Sequence, residues 1–153
     1  MSDNPTESSQ AVTPYLYYED VEAALRWLAS AFGFREHEKE TMRNPEGKVV
    51  HAKMTIGDAV ILMGCPSDDY KCPKSLGHVT QNLYVYVSDL EEHLEQAKKA
   101  GASLLSELEE TFYGDRRYGV ADLEGHQWYF AETLRQVEPE DWNPTPQEMK
   151  GHA

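Results

Sequence analysis

His51 and Lys53 have the types and spacing for acid–base work. They lie two apart in a run that alternates like a strand, so both point to one side. A histidine there could take a proton near neutral pH while a lysine holds an anionic oxygen; the plainer reading is a solvated strand face. A second group is aromatic. By the same alternation Tyr15, Tyr17, Asn82, Tyr84 and Tyr129 share a strand face, which suits a wet surface taking an aromatic or amphipathic small molecule. Stacked tyrosines also fill a narrow cup or a contact between subunits. A third group is the loop holding Tyr113, Asp115 and Arg116. Tyr113 and Arg116 are candidate ligand contacts, although an Asp115–Arg116 pair reads most simply as a tie holding the loop.

Metal and nucleophile signatures are weak. The histidines, His37, His51, His78, His93, His126 and His152, form no H-x-H, H-x-x-x-H or HExxH pattern. His93 is expected on a solvated helix face, and His126 is expected to cap a turn on the helix side. Cys65, Cys72 and His78 share one loop at a spacing that matches no common zinc framework, so the cysteines read as free thiols. No nucleophile elbow, phosphate loop or dinucleotide fingerprint occurs, and no catalytic residue is assigned.

The elements that must position these groups come in order. Residues 12–18 read as a strand. Glu19-Asp20 then offers an N-cap to a helix with Val21, Ala24, Leu25, Leu28 and Phe32 at helical spacing, ended by Gly33. A polar strand is expected over 34–42, then strands over 48–56 and 59–63 across a Gly57-Asp58 turn. Residues 65–80 carry no periodicity. A strand over 81–87 follows, then a capping box from Ser88 to Glu91 and a helical stripe of Leu90, Leu94 and Ala97 ended by Gly101. A strand over 103–109 and a hairpin turning at Glu124-Gly125 complete the set.

This order repeats. Tyr17, Asp20, Val21, Glu22 and Leu25 match Tyr86, Asp89, Leu90, Glu91 and Leu94 at 69 residues; Gly33 and Gly57 match Gly101 and Gly125 at 68. The fold class is α+β, with two tandem β-α-β-β-β modules over 12–64 and 81–133 and a linker over 65–80. Residues 1–11 read as a disordered polar lead-in. The acidic tail, 134–153, is expected to pack through Trp142 and Met149 and to make about one helical turn over 145–150. Alternation assigns Leu16, Val60, Leu62, Leu83, Val85, Val87, Trp128 and Phe130 to the helix side. It assigns Thr13, Ile61, Met63, Tyr86, Gln127 and Thr55 to the tyrosine side.

Composition limits the function classes. At 153 residues the chain is one domain's worth, and its net charge of −13 argues against nucleic acid, whose phosphates demand basic patches. No apolar run approaches the roughly 18 residues of a membrane span. The segment MSDNPTESSQ lacks the basic and apolar parts of a secretory signal, and two cysteines fit a reducing compartment. The expectation is a cytoplasmic protein with no nucleic-acid or membrane partner.

With TPYLYYED opening the first module and YGDRRYGVADLEGHQWYFAE closing the second, the chain resembles the vicinal oxygen chelate superfamily over about residues 12–133. That group includes glyoxalase I, bleomycin-resistance proteins and extradiol dioxygenases. The resemblance implies curved sheets around a concave cup, helices outside, and a homodimer. It also implies that a divalent metal, where present, is held at the positions of Thr13, Asn82, Ile61 and Tyr129. These are a hydroxyl, an amide, an aliphatic chain and a phenol where histidine, glutamate or glutamine would serve. The expectation is therefore a protein with no metal and no cofactor, nearest in character to the bleomycin-resistance branch. It would bind a small aromatic or cationic molecule in a tyrosine-lined cup, as in drug sequestration and antibiotic resistance. The expected contacts are Tyr15, Tyr17, His51, Lys53, Asn82, Tyr84, Tyr113, Arg116 and Tyr129. The alternatives are a metal-dependent lyase or dioxygenase of the same superfamily and a metal-independent isomerase using His51.

Overall fold

The structure, a computed structural model, describes residues 10–151. The lead-in expected over 1–11 lies, up to residue 9, outside the described residues, as does His152. The first module runs β1 (Tyr15–Tyr17), α1 (Val21–Phe32), β2 (Arg35–Glu36), β3 (Met42–Arg43), β4 (Val49–Ile56) and β5 (Ala59–Gly64). A short helix α2 (Pro73–Leu76) lies in the connection. The second module runs β6 (Asn82–Tyr86), α3 (Leu90–Lys99), β7 (Ser103–Glu110), β8 (Asp115–Ala121) and β9 (Gln127–Thr133). Two separate sheets result, ordered β1-β5-β4-β2, with β3 also on β4, and β6-β9-β8-β7. In each, the first strand pairs parallel to the last and the last two strands are antiparallel. The fold is α+β, built twice.

Both helices start the same way. Asp20 accepts from the Ala23 amide at 3.0 Å, and Asp89, 69 residues on, accepts from the Glu92 amide at 3.1 Å. Each carboxylate satisfies an amide that the first turn leaves unpaired and sits at the positive end of the helix dipole. The cap of α3 is thus Asp89, not Ser88.

The stretch 34–42 is not one strand. It breaks into β2, a 3₁₀ turn at Glu38–Glu40, and β3. Its polar run has little to bury, and the Thr41 hydroxyl donates to Glu36 at 2.5 Å, a local bond that competes with the ladder.

One core joins the modules. Phe32, at the end of α1, packs against Trp128 at 5.6 Å and Phe130 at 4.7 Å between ring centroids, and all three are fully buried. Truncating Phe32 to alanine would cost about 3–5 kcal/mol, the usual penalty for an emptied aromatic site. His93 of α3 lies in the same core, only 8% exposed, which corrects its expected place on a solvated face. Its Nδ1 meets the Tyr118 hydroxyl at 2.6 Å and its Nε2 the Phe32 carbonyl at 2.8 Å. The reason is tertiary: α1 packs on α3 and covers the face that the α3 sequence alone leaves open to solvent.

The closing hairpin also binds the modules together. Asp122 accepts from the Tyr18 hydroxyl at 2.7 Å and the Trp128 indole at 3.1 Å. Glu124 accepts from the amides of Glu19 and Asp20 at 2.6 and 2.9 Å, just ahead of α1. A Cβ on Gly125 would stand 2.7 Å from the Lys74 backbone, and its φ of 93° is left-handed, so glycine is required where α2 lies against this loop.

Register corrects the first module's faces. Tyr15 lies opposite Leu62 and Leu16 opposite Met63. Leu62 and Val60 therefore share the tyrosine side, and Ile61 and Met63 are buried with the helices. The two hairpins differ in length, so their glycines are not equivalent. β4 and β5 close after Ile56–Ala59, with two residues between, whereas β8 and β9 close after Ala121–Gln127, with five. Because strands alternate with period two, one residue of slippage reverses every side chain beyond it.

Candidate functional site

Apart from Tyr18 and Tyr118, which are buried in the core, the tyrosines form two clusters, one at each sheet, on the side away from the helices. In the first, Tyr70, Tyr17, Tyr15 and His51 make a row with successive ring separations of 5.8, 5.8 and 5.7 Å. The Tyr15 hydroxyl and His51 Nδ1 are 2.8 Å apart. Burial holds the Tyr15 phenol above its ordinary range, with Tyr17 adding to the effect. Lys53 shares the face but pairs with Glu40 at 3.2 Å. Of the proposed acid–base pair, His51 therefore works with a phenol and Lys53 with a carboxylate.

The second cluster is more completely built. Tyr84 and Tyr86 both donate to the same oxygen of Asp115, at 2.9 and 2.8 Å. The Tyr84 and Tyr113 hydroxyls are 2.9 Å apart. Tyr129 stacks on Tyr84 at 6.2 Å with rings 22° from parallel, and the Arg117 guanidinium carbon stands 4.4 Å over the Tyr129 ring. Arg117 also donates to Glu109 at 3.0 Å and to the Tyr113 hydroxyl at 3.4 Å. Asp115 and Arg117 are both buried. A buried carboxylate and guanidinium are tolerable only because each has polar partners.

Glycine makes room for the stack. A Cβ on Gly119 would lie 2.9 Å from the Tyr129 ring and 3.0 Å from the Ser106 hydroxyl, which itself receives the Gly119 amide. The first module has a similar arrangement, where a Cβ on Gly64 would lie 2.7 Å from the Tyr15 hydroxyl. Both rings lie close over their strands.

Electrostatics fix the protonation of these phenols. Burial, together with hydrogen bonds to Tyr113 and Asp115, pushes the Tyr84 phenol far above its ordinary value. Burial and the Asp115 carboxylate push Tyr86 up to about 12. Near neutral pH both are protonated donors, with the Asp115 carboxylate accepting at their hydroxyl ends.

Arg116 does not join this cluster. It donates to Glu91 at 2.8 Å and lies 3.7 Å from Glu132, on the opposite side of β8 from Arg117. The loop residues that do join are Tyr113 and Asp115, with Arg117 as the cation. Alternation along β8 carries the signal for Arg117, since it lies two residues from Gly119, which pairs with Tyr129. Asn82 pairs with Gln127 at the start of β6, two residues from Tyr84.

The positions that hold metal in the resembled superfamily do not suit one here. Thr13, Asn82 and Tyr129 remain poor donors, and the fourth position, read from the strand register, is Leu62 rather than Ile61. Neither hydrocarbon ligates. Among the described residues no group of three or more His, Cys, Asp or Glu could hold a metal ion. Cys65 lies 3.6 Å from the Lys48 ammonium, while Cys72 is buried at the start of α2. His126 meets the Tyr17 carbonyl at 2.8 Å. No helix among the described residues is long and apolar enough to cross a membrane.

This twofold arrangement of curved sheets with a polar-aromatic face is that of the vicinal oxygen chelate proteins. Residues 10–130 match the Glyoxalase/Bleomycin resistance protein/Dioxygenase superfamily, and the chain belongs to it. It is 31% identical to TioX from Micromonospora sp. ML1, covering 84% of this chain and 100% of that one, with a TM-score of 0.63. It is 29% identical to an uncharacterised protein of Mycobacterium bovis over 83% of this chain and 86% of that protein. A glyoxalase-related enzyme from Clostridium phytofermentans, 11% identical with a TM-score of 0.64 over 82% of this chain and 96% of that one, shares the fold.

Proposed function

We propose that this protein binds a small aromatic or cationic molecule on its tyrosine-lined sheet faces without a metal, in the manner of drug sequestration. The observation that carries the reading is the second cluster. There, Tyr84, Tyr86, Tyr113 and Tyr129 are organised around a buried Asp115 and Arg117. The hydroxyls of Tyr84, Tyr86 and Tyr113 are engaged on the same side of the sheet, and Tyr86, 59% exposed, presents the most open ring to a ligand. Ring faces attract cations and planar aromatic systems, and a net charge of −13 draws cations from a distance. Tyr15, Tyr17 and His51 supply a second aromatic surface. The side chains at the superfamily's metal positions support a binding role over metal-dependent lyase or dioxygenase chemistry.

The active form is a cytoplasmic homodimer in this reading. The half-exposed Tyr15, Tyr17 and Tyr86 are the surface that a second copy would help to enclose. Sedimentation at micromolar concentration tests the dimer. For the function, tyrosine and tryptophan emission is titrated with cationic aromatic antibiotics, alongside metal analysis of protein purified without chelator. Saturable binding that weakens in Tyr84→Ala and Tyr129→Ala supports the proposal. One equivalent of bound transition metal, with an activity lost on chelation, would overturn it.

The Tyr15–His51 contact favours a second reading, a metal-independent isomerase. A phenol bonded to one imidazole nitrogen orients the ring and leaves the other nitrogen for proton transfer. Loss of a measured isomerase activity in His51→Gln would support it, and an unchanged rate would exclude His51 as the base.

A further inference from the structure

The C-terminal tail returns to the second tyrosine cluster. The Gly114 carbonyl accepts from the amides of both Leu134 and Arg135, at 2.8 and 3.2 Å. A Cβ on Gly114 would fall 2.2 Å from the Arg135 carbonyl oxygen and 3.0 Å from Val137, so the loop admits the tail only because residue 114 is glycine. A 3₁₀ turn at Pro139–Asp141 then reverses the chain. It brings the Trp142 ring to 5.5 Å from Phe112 and 6.2 Å from Tyr113, and the indole N–H donates to the Val137 carbonyl at 3.2 Å. Tyr113 is the residue whose hydroxyl meets Tyr84 and Arg117. The order in space is therefore Trp142, Tyr113, Tyr84, Tyr129, with successive groups in contact.

Trp142 is held from several sides, yet 44% of its surface is exposed. A tail that packed only for stability would gain more by burying the indole. A fixed, open indole beside tyrosine rings is instead an aromatic surface already ordered, which lowers the entropy cost of stacking a ligand. Nearby charge decides the ligand's sign. Glu109 offsets the Arg117 guanidinium, which leaves the Asp115 carboxylate at the hydroxyl ends of Tyr84 and Tyr86 as the remaining charge, and indole is the best of the aromatic faces for a cation.

Resting on the binding function above, we propose that Trp142 forms the outer wall of the second tyrosine site and stacks on a planar aromatic cation bound there. The test is a fluorescence titration of the full chain with proflavine, a planar cation, and with anilinonaphthalene sulfonate, an aromatic anion. Proflavine is expected to bind the wild type more tightly and to quench the emission component that Trp142→Phe lacks. Trp142→Ala is expected to weaken proflavine about ten-fold, as loss of one stacking surface does. Trp142→Phe keeps a ring against Phe112 and Tyr113 and is expected to stay within about three-fold of wild type. Unchanged proflavine affinity in Trp142→Ala would overturn the wall while leaving the binding function standing. So would equal weakening in both variants, which marks a packing role alone. Tighter binding of the anion would overturn the cation preference. Failure of both probes to bind the wild type would overturn the binding function, and this inference with it.

Discussion

The Tyr84 hydroxyl donates to the Asp115 carboxylate at 2.9 Å, and Tyr86 donates to the same oxygen at 2.8 Å. One buried acid thus sets the orientation of two rings on β6 from the start of β8. Asp115→Asn keeps the shape but removes the charge that both phenols bond. We expect a loss of about 1–3 kcal/mol in denaturant unfolding, in line with buried hydrogen bonds to a charged group. Loss of affinity for aromatic cations should accompany it.

The same relationship predicts alkaline behaviour. The Tyr86 phenol is raised from 10.0 to about 12, first by burial and then by Asp115. A phenol raised in the folded state ionises more readily when unfolded, so the stability it contributes is present below pH 10 and lost as pH rises towards about 12. Ultraviolet difference titration of tyrosinate formation checks this. In Asp115→Asn the late-titrating phenols should ionise earlier.

His93 gives the acid counterpart. Burial lowers its pKa below the ordinary imidazole range, partly offset by the bond to the Phe32 carbonyl. The facing groups are the Tyr118 phenol on β8 and the Phe32 carbonyl on α1; Phe32 and Phe130 supply the adjoining rings. A depressed histidine contributes stability above its unfolded pKa and loses it as pH falls through the folded one. Unfolding temperature should therefore drop below about pH 6.5 more steeply in wild type than in His93→Gln.

The stack over β8 predicts a steric effect. In Gly119→Ala the new methyl meets the Tyr129 ring at 2.9 Å, so the ring must move off its place under Arg117. Overpacking of this kind costs about 1–3 kcal/mol. Chemical denaturation measures the cost, and weaker aromatic-cation binding should follow from the displaced ring.

The repeat was legible in the sequence because the same local rule applies in both modules. Asp20 and Asp89 cap their helices 69 residues apart, and apolar stripes follow each. The second module's strand faces were legible too, since Trp128 and Phe130 alternate cleanly with Tyr129. The faces of β5 were not, because matching Gly57 to Gly125 equates a two-residue turn with a five-residue loop. His93 could not be placed from α3 alone, since α1 supplies its burial. Arg117 and Arg116 are neighbours of the same type, and only the pairing of β8 with β9 shows which one faces Tyr129.

The second tyrosine face is proposed to bind its ligand without metal. Calorimetric titration of proflavine into chelator-treated protein, wild type against Tyr129→Ala, tests it most directly. Saturable binding is expected, unaffected by chelator and weakened about ten-fold or more in the variant. Binding abolished by chelator and restored by a divalent metal, or equal affinity in Tyr129→Ala, would contradict it.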